Sequence, residues 1–323
     1  MGKFYISAPV DDVMLASATR VQVAALHGRL PSTPELKAVA DQHGLDFATM
    51  LLYQAMLASP LHGPFIAALD SEPVCTTHPP IAAKVLVIPA LFHAHYPETG
   101  ADAAFAAGIA RQCGFQVDTI RTGSLATSTA NAALIKAALE RETAADIWIF
   151  AVSKGSADFR AFLQLYPDCP AIARIRGWIN VCGISAGSQI ADYDTATGWR
   201  VLKYRAICRL FGTRYQLMRE LRTDHPYWRA ALVLPPHMQM FSFAALPLGA
   251  HIQKSLIGRY QALGPLGPND GMMLCRDAIA DHGPAYPVWG ADHFFRSPQV
   301  ISLLYRFFGH LRRHAGSTQG GSA

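Results

Sequence analysis

An unbroken apolar run, Ile147-Trp-Ile-Phe-Ala-Val152, ends at Ser153 and gives way at once to helical spacing. Six β-branched, aromatic and small apolar residues between Asp146 and Ser153 read as a strand buried on both faces. Phe159, Phe162, Leu163 and Tyr166 then recur at i, i+3, i+4 and i+7, and Pro167 stops the helix. A strand covered on both sides belongs in a parallel sheet flanked by helices, so strands and helices should alternate along the chain.

From Lys84 onward they do. The pattern predicts strands over 85–89, 114–121, 147–152, 175–182, 240–246 and 286–289, with helices over 100–113 and 129–142. A last amphipathic helix carries Val300, Ile301, Leu303, Leu304, Phe307 and Phe308. This divides the chain into a core over 81–188 and 241–314, an N-terminal helical extension over 1–80 and an insertion over 189–240. The extension shows a capping box at Ser32-Thr-Pro-Glu35 and a helix over 46–59 before Pro60, Gly63 and Pro64. It is expected to pack on the core rather than wall a substrate site. The insertion is rich in arginine and aromatic residues, among them Trp199, Arg205, Arg209, Tyr215 and Trp228, and is read as a helical lid. Residues 315–323, Ala-Gly-Ser-Thr-Gln-Gly-Gly-Ser-Ala, are low in complexity and read as a disordered tail.

Composition narrows the classes. The 323 residues are 51% hydrophobic and 16% charged, which suits one large core or a core with a subdomain. No uncharged run approaches membrane-spanning length, so stable membrane insertion is not expected. Pro9, Asp11 and Asp12 interrupt any signal-peptide apolar region, which points to a cytoplasmic protein. The cysteines at 75, 113, 169, 182, 208 and 275 form no Cys-x-x-Cys pair and are expected to be buried free thiols. A net charge of +5 without aromatic interleaving argues against nucleic-acid binding.

The chemistry starts at Ser153. A serine on a tight strand-to-helix turn needs small residues two before and two after it, and here they are Ala151 and Gly155. The helix that follows would aim backbone N–H groups at an oxyanion formed beside the hydroxyl. A serine nucleophile also needs a base and an acid that orients the base. Gly267-Pro-Asn-Asp-Gly271 offers Asp270 in a turn, and Val288-Trp-Gly-Ala-Asp-His293 offers His293 after the last strand.

With that Ser, Asp, His order the chain resembles the α/β-hydrolase superfamily, in particular its bacterial lipase and esterase branch, over roughly Lys84 to His310. The resemblance implies an α/β-hydrolase fold: a mostly parallel sheet flanked by helices, with the lid between the sixth and seventh strands of the family layout. It implies Ser153 as nucleophile, Asp270 as acid and His293 as base. It implies oxyanion donors at the backbone of Lys154 and, in the loop after the first core strand, of Leu91. There Pro89-Ala-Leu91 stands in place of the family's His-Gly-x, and Ala151 replaces the first glycine of the elbow. The activity implied is cleavage of an ester or thioester of a hydrophobic acyl group, without a cofactor or metal. Alternatives are a thioesterase or acyltransferase working on a carrier-bound acyl chain, whose acidic carrier would meet Arg205, Arg209, Arg214, Arg219 and Arg222, and a non-catalytic binding protein. Phe92, His93 and His95 lie in the loop expected to contact substrate, although the histidines could equally be solvated or bonded within that loop. The Lys154 side chain could be solvated or could attract an anionic substrate group.

A rival nucleophile exists. Gly183-Ile-Ser-Ala-Gly187 matches the strict Gly-x-Ser-x-Gly pattern, and Ser185 is its serine. Asp192, Asp194, Thr195 and Gly198 are expected to prevent the required helix after it, and the strand order favours Ser153. His282 precedes the final strand and is poorly placed to act as base. Asp292 adjoins His293 and should point away from it.

Overall fold

The computed structural model describes residues 9–317. Five helices come first: α1 (Pro9–Ala18), α2 (Arg20–Ala25), α3 (Thr33–His43), α4 (Leu45–Ala58) and α5 (Gly63–Ser71). Helix α3 starts as its sequence requires, because Ser32 Oγ accepts the Glu35 N–H while the Glu35 carboxylate reaches back to the Ser32 N–H.

The core then alternates: β1 (Lys84–Ile88), α6 (Ala104–Gln112), β2 (Gln116–Thr119), α7 (Ser128–Arg141), β3 (Ile147–Val152), α8 (Lys154–Leu165) and β4 (Ile175–Val181). Helices α9 (Gln189–Thr195), α10 (Gly198–Leu210) and α11 (Gln216–Leu221) precede β5 (Gln239–Leu246), α12 (Ile257–Leu263), β6 (Ala285–Trp289) and α13 (Gln299–Ser317). Helix α6 starts four residues later than the periodicity suggested. The left-handed Gly100 and Ala103 keep 97–103 as a single 3-10 turn and the turn that follows it.

All six strands are parallel, in the order β2-β1-β3-β4-β5-β6. One face of the sheet is covered by α6 and α13, with Phe307 and Phe308 packed over Phe150 and Phe243. The other face is covered by α7 and α8, where Ile135, Phe159 and Phe162 meet Ile147, Ile149 and Trp178. Burial on both faces is what the apolar run of β3 demanded. After β1 the chain steps outward to β2 and then returns to place β3 on the other side of β1. The carboxyl ends of β1 and β3 therefore flank a topological switch point, where open α/β sheets leave a crevice.

The N-terminal helices pack on the β5–β6 end of the molecule. Leu36, Leu52, Met56 and Ile66 share a cluster with Leu246 and Ala285, and His62 Nδ1 accepts the Ala285 N–H at 3.0 Å. Three sequence expectations need amendment. Cys75 is exposed, since it lies in the irregular stretch between α5 and β1, while the other five thiols are buried. Helix α13 runs on to Ser317, so the first three residues of the supposed tail are helical, and residues 318–323 lie outside the described residues. Residues 1–8 lie outside them as well, while Pro9, Asp11 and Asp12, on which the signal-peptide reading rests, open α1. Among the described residues no helix is long and apolar enough to cross a membrane.

Candidate active site

Ser153 stands at the carboxyl end of β3 with φ 49° and ψ −115°, a conformation that β-carbon sterics disfavour for any residue but glycine. It is held there by its surroundings. The Ser153 N–H donates to Val181 O at 2.9 Å, and Ser153 O accepts the N–H groups of Ser156 and Ile184. Ala151 is fully buried, and a β-carbon at Gly155 would stand 2.4 Å from Ile88 O and 2.8 Å from Pro89 O. The small residues on either side of the serine are therefore a steric requirement of β1 and α8 meeting at this turn.

Two side chains from separate loops line up behind the hydroxyl. Ser153 Oγ lies 2.9 Å from His293 Nε2, and His293 Nδ1 lies 2.8 Å from Asp270 Oδ2. The other carboxylate oxygen of Asp270 accepts the N–H groups of Met272 and Met273, both at 2.8 Å. The Asp270 carbonyl in turn accepts the His293 N–H at 3.0 Å. With an acceptor-only carboxylate on Nδ1, that nitrogen carries the proton, and Nε2 is left to accept from the serine hydroxyl. The turn that carries Asp270 closes through the left-handed Gly271, whose N–H donates to Asn269 Oδ1. Cys182 and Cys275 are buried close by; burial, and then the Asp270 carboxylate, push both thiols up, so they stay protonated and inert.

Two unengaged N–H groups border this point. Lys154 opens α8, and its N–H has no protein partner among the described residues. The Leu91 N–H likewise has none, whereas its neighbours Ala90 and Phe92 donate to Ala101 O and Ser124 O. Leu91, Ser153, Lys154 and His293 all line one cavity.

The Lys154 side chain is neither solvated nor offered to a ligand. It is 2% exposed and donates to Asp158 Oδ1 at 2.5 Å, one helical turn along α8. The sequence did carry the signal, an opposite-charge pair at i, i+4 on a helix that is otherwise buried.

The rival serine has no base. Ser185 Oγ donates to the Asp277 carbonyl at 2.7 Å. A helix does follow it, contrary to expectation. Helix α9 forms although it holds Asp192, Asp194 and Thr195, because Asp192 accepts from Thr223 and Thr195 Oγ1 folds back onto Ala191 O. What disqualifies Ser185 is the absence of a histidine partner among the described residues. Asp292 accepts the N–H groups of Gln253 and Phe294 instead of meeting His293, and His282 Nε2 contacts Leu232 O.

The cavity measures about 920 Å³ and is mostly apolar. Phe92 lines it, but His93 and His95 do not: His93 Nδ1 turns back to Ala90 O at 2.8 Å, and the His95 ring packs edge-on against Phe211. The lid supplies Ile207, Phe211, Leu217 and Leu221, while Trp199, Leu202 and Leu210 of the same segment are exposed. Several lining residues escaped sequence analysis, notably Met272, Phe294, Phe295 and Arg296. Their only signal is adjacency to Asp270 and His293. A polar patch in the wall joins Asp194, Tyr204 and Arg259; burial raises the Asp194 carboxyl and pushes the Tyr204 hydroxyl up to about 12. Among the described residues, none from the N-terminal helices lines the cavity. Among the described residues, no group of three or more His, Cys, Asp or Glu side chains could hold a metal ion.

No protein-family model matches the chain, and no curated protein sequence matches it either. Solved structures do. The metagenomic carboxyl esterase MGS0156 aligns with a TM-score of 0.60 at 20% identity, over 76% of this chain and 80% of that one. The Bacillus licheniformis lipase BlEst2 in its mature form gives 0.50 at 19% identity, over 76% and 95%. These likenesses are of fold, and the fold is that of the α/β-hydrolases: a parallel sheet with helices on both faces.

Proposed function

We propose that the protein is a serine hydrolase that cleaves carboxylic esters or thioesters of hydrophobic acyl groups. One observation carries this reading. An unbroken line of hydrogen bonds runs from Ser153 Oγ through His293 to Asp270, and its serine end opens into an apolar cavity. In this reading His293 Nε2 takes the hydroxyl proton as Ser153 Oγ attacks the substrate carbonyl carbon. Asp270 holds the imidazole in its tautomer and stabilises the imidazolium. The N–H groups of Lys154 and Leu91 receive the oxyanion. His293 then passes its proton to the departing alkoxide or thiolate, leaving an acyl group on Ser153. Water, deprotonated by His293, attacks that ester, and the acid departs as Ser153 recovers its proton.

The strained backbone of Ser153 agrees with a functional serine, because strain of this kind concentrates where geometry serves chemistry. The cavity's volume and apolar walls suit an acyl chain.

A fluorophosphonate probe tests the reading. We expect stoichiometric labelling at Ser153, and none in Ser153→Ala. A folded wild-type protein that stays unlabelled would favour a non-catalytic binder and sink the proposal. A graded series of p-nitrophenyl esters, run beside acyl thioesters of the same chain lengths, separates an esterase from a thioesterase acting on carrier-bound chains.

A further inference from the structure

We propose that Lys154, Asp158 and Asn131 form a buried positioning relay that locks the two halves of the oxyanion site together. The inference rests on the serine-hydrolase reading, in which those halves are the N–H groups of Lys154 and Leu91. The two donors belong to different elements, α8 and the loop after β1, so something must fix one against the other. A donor displaced by about half an ångström loses most of its value to a transition state.

The relay is continuous. Lys154 Nζ donates to Asp158 Oδ1 at 2.5 Å, and Asn131 Nδ2 donates to Asp158 Oδ2 at 2.7 Å. Asn131 clasps Gly123 on both sides, donating to its carbonyl at 3.1 Å and accepting its N–H at 2.8 Å. The next residue, Ser124, accepts the Phe92 N–H at its carbonyl and the Ala94 N–H at its Oγ, each at 3.2 Å. The path thus runs from the residue after Ser153 to the residue after Leu91. On the opposite flank the close approach of Gly155 to Ile88 O and Pro89 O holds the same loop.

Stability alone does not account for these residues. Lys154, Asp158 and Asn131 are all almost fully buried, and a buried ion pair adds little over apolar side chains of similar size. A cation in the first turn of a helix also opposes the helix dipole. Asp158 cancels that charge, so the pair adds rigidity at the elbow without biasing its potential.

The test uses Lys154→Met/Asp158→Leu, which removes both charges together and leaves neither one stranded, and Asn131→Ala, which cuts the far end while keeping the ion pair. With p-nitrophenyl butanoate, kcat should fall about tenfold to a hundredfold in the double variant while KM stays within about twofold. Affinity for a trifluoromethyl ketone, whose hemiketal adduct with Ser153 Oγ carries the oxyanion, should fall by the same factor as kcat/KM. Because the links are in series, adding Asn131→Ala to the double variant should cost almost nothing further. A folded double variant with wild-type kcat and ketone affinity overturns the relay, as does a fully additive triple variant. Should the double variant not fold, Asn131→Ala reads the same link: kcat and ketone affinity falling together at constant KM support it, and wild-type values overturn it. A wild type that neither turns over ester nor takes the fluorophosphonate refutes the underlying hydrolase reading instead.

Discussion

Ser153 is the residue whose backbone most clearly serves something other than stability. At φ 49° and ψ −115° a residue with a β-carbon is strained by roughly 1–3 kcal/mol. Ser153→Gly should therefore stabilise the protein by about 1 kcal/mol in chemical denaturation while abolishing ester hydrolysis, the usual opposition of stability and function at a site. Gly155 argues in the other direction. Adding one methyl there forces a contact of 2.4 Å with Ile88 O, a backbone atom that cannot swing aside. Gly155→Ala should lower stability by roughly 2–4 kcal/mol and remove activity, and a variant within about 0.5 kcal/mol of wild type would contradict the steric account.

Among the elements, the seam between α5 and β6 depends on a neutral histidine. His62 is buried and its Nδ1 accepts the Ala285 N–H, which a protonated ring cannot do; burial, and then Arg276, hold its pKa below the ordinary histidine value. Below about pH 6.5 the unfolded chain takes up this proton while the folded chain resists it, so stability falls as pH falls. Relative to His62→Gln, the wild type should lose stability at a slope approaching about 1.4 kcal/mol per pH unit below that point. Parallel pH dependences in the two proteins would rule the seam out as a source. The lid is tied down as well, with the Ser128 N–H donating to Glu220 Oε2 and Arg160 donating to the Ala230 carbonyl.

At the scale of the whole molecule, the sheet, the lid and the loops after β1 and β6 line one cavity of about 920 Å³ with Ser153 in its wall. Its capacity should set the acyl-chain preference. Ile207→Trp fills part of the wall from α10, an element that carries none of Ser153, His293 and Asp270. If it excludes about three methylenes, each worth about 0.8 kcal/mol, kcat/KM for long p-nitrophenyl esters should fall roughly fiftyfold while butanoate is spared. An equal loss at every chain length would mean that the chain binds elsewhere.

The alternation of strand and helix was open to reading because periods of 2 and 3.6 are local properties of a chain, and β3 occupies the very residues its apolar run marked. So was the elbow, since the small residues at 151 and 155 record a local steric need, and so was the order of Ser153, Asp270 and His293. Other matters depended on what meets what across the fold. No local pattern says that Ser185 would spend its hydroxyl on the Asp277 carbonyl, that His93 would turn back on its own loop, or that α9 would form around its aspartates through Thr223. The Lys154 side chain is the sharpest instance. Its partner Asp158 stands in plain view four residues on, yet only the burial imposed by α7, and the arrival of Asn131 from that helix, turn a surface charge pair into part of a buried network. Charges and hydroxyls are decided in this way because their energies depend on which partners arrive and how much water leaves, and both are set by packing between segments distant in the chain.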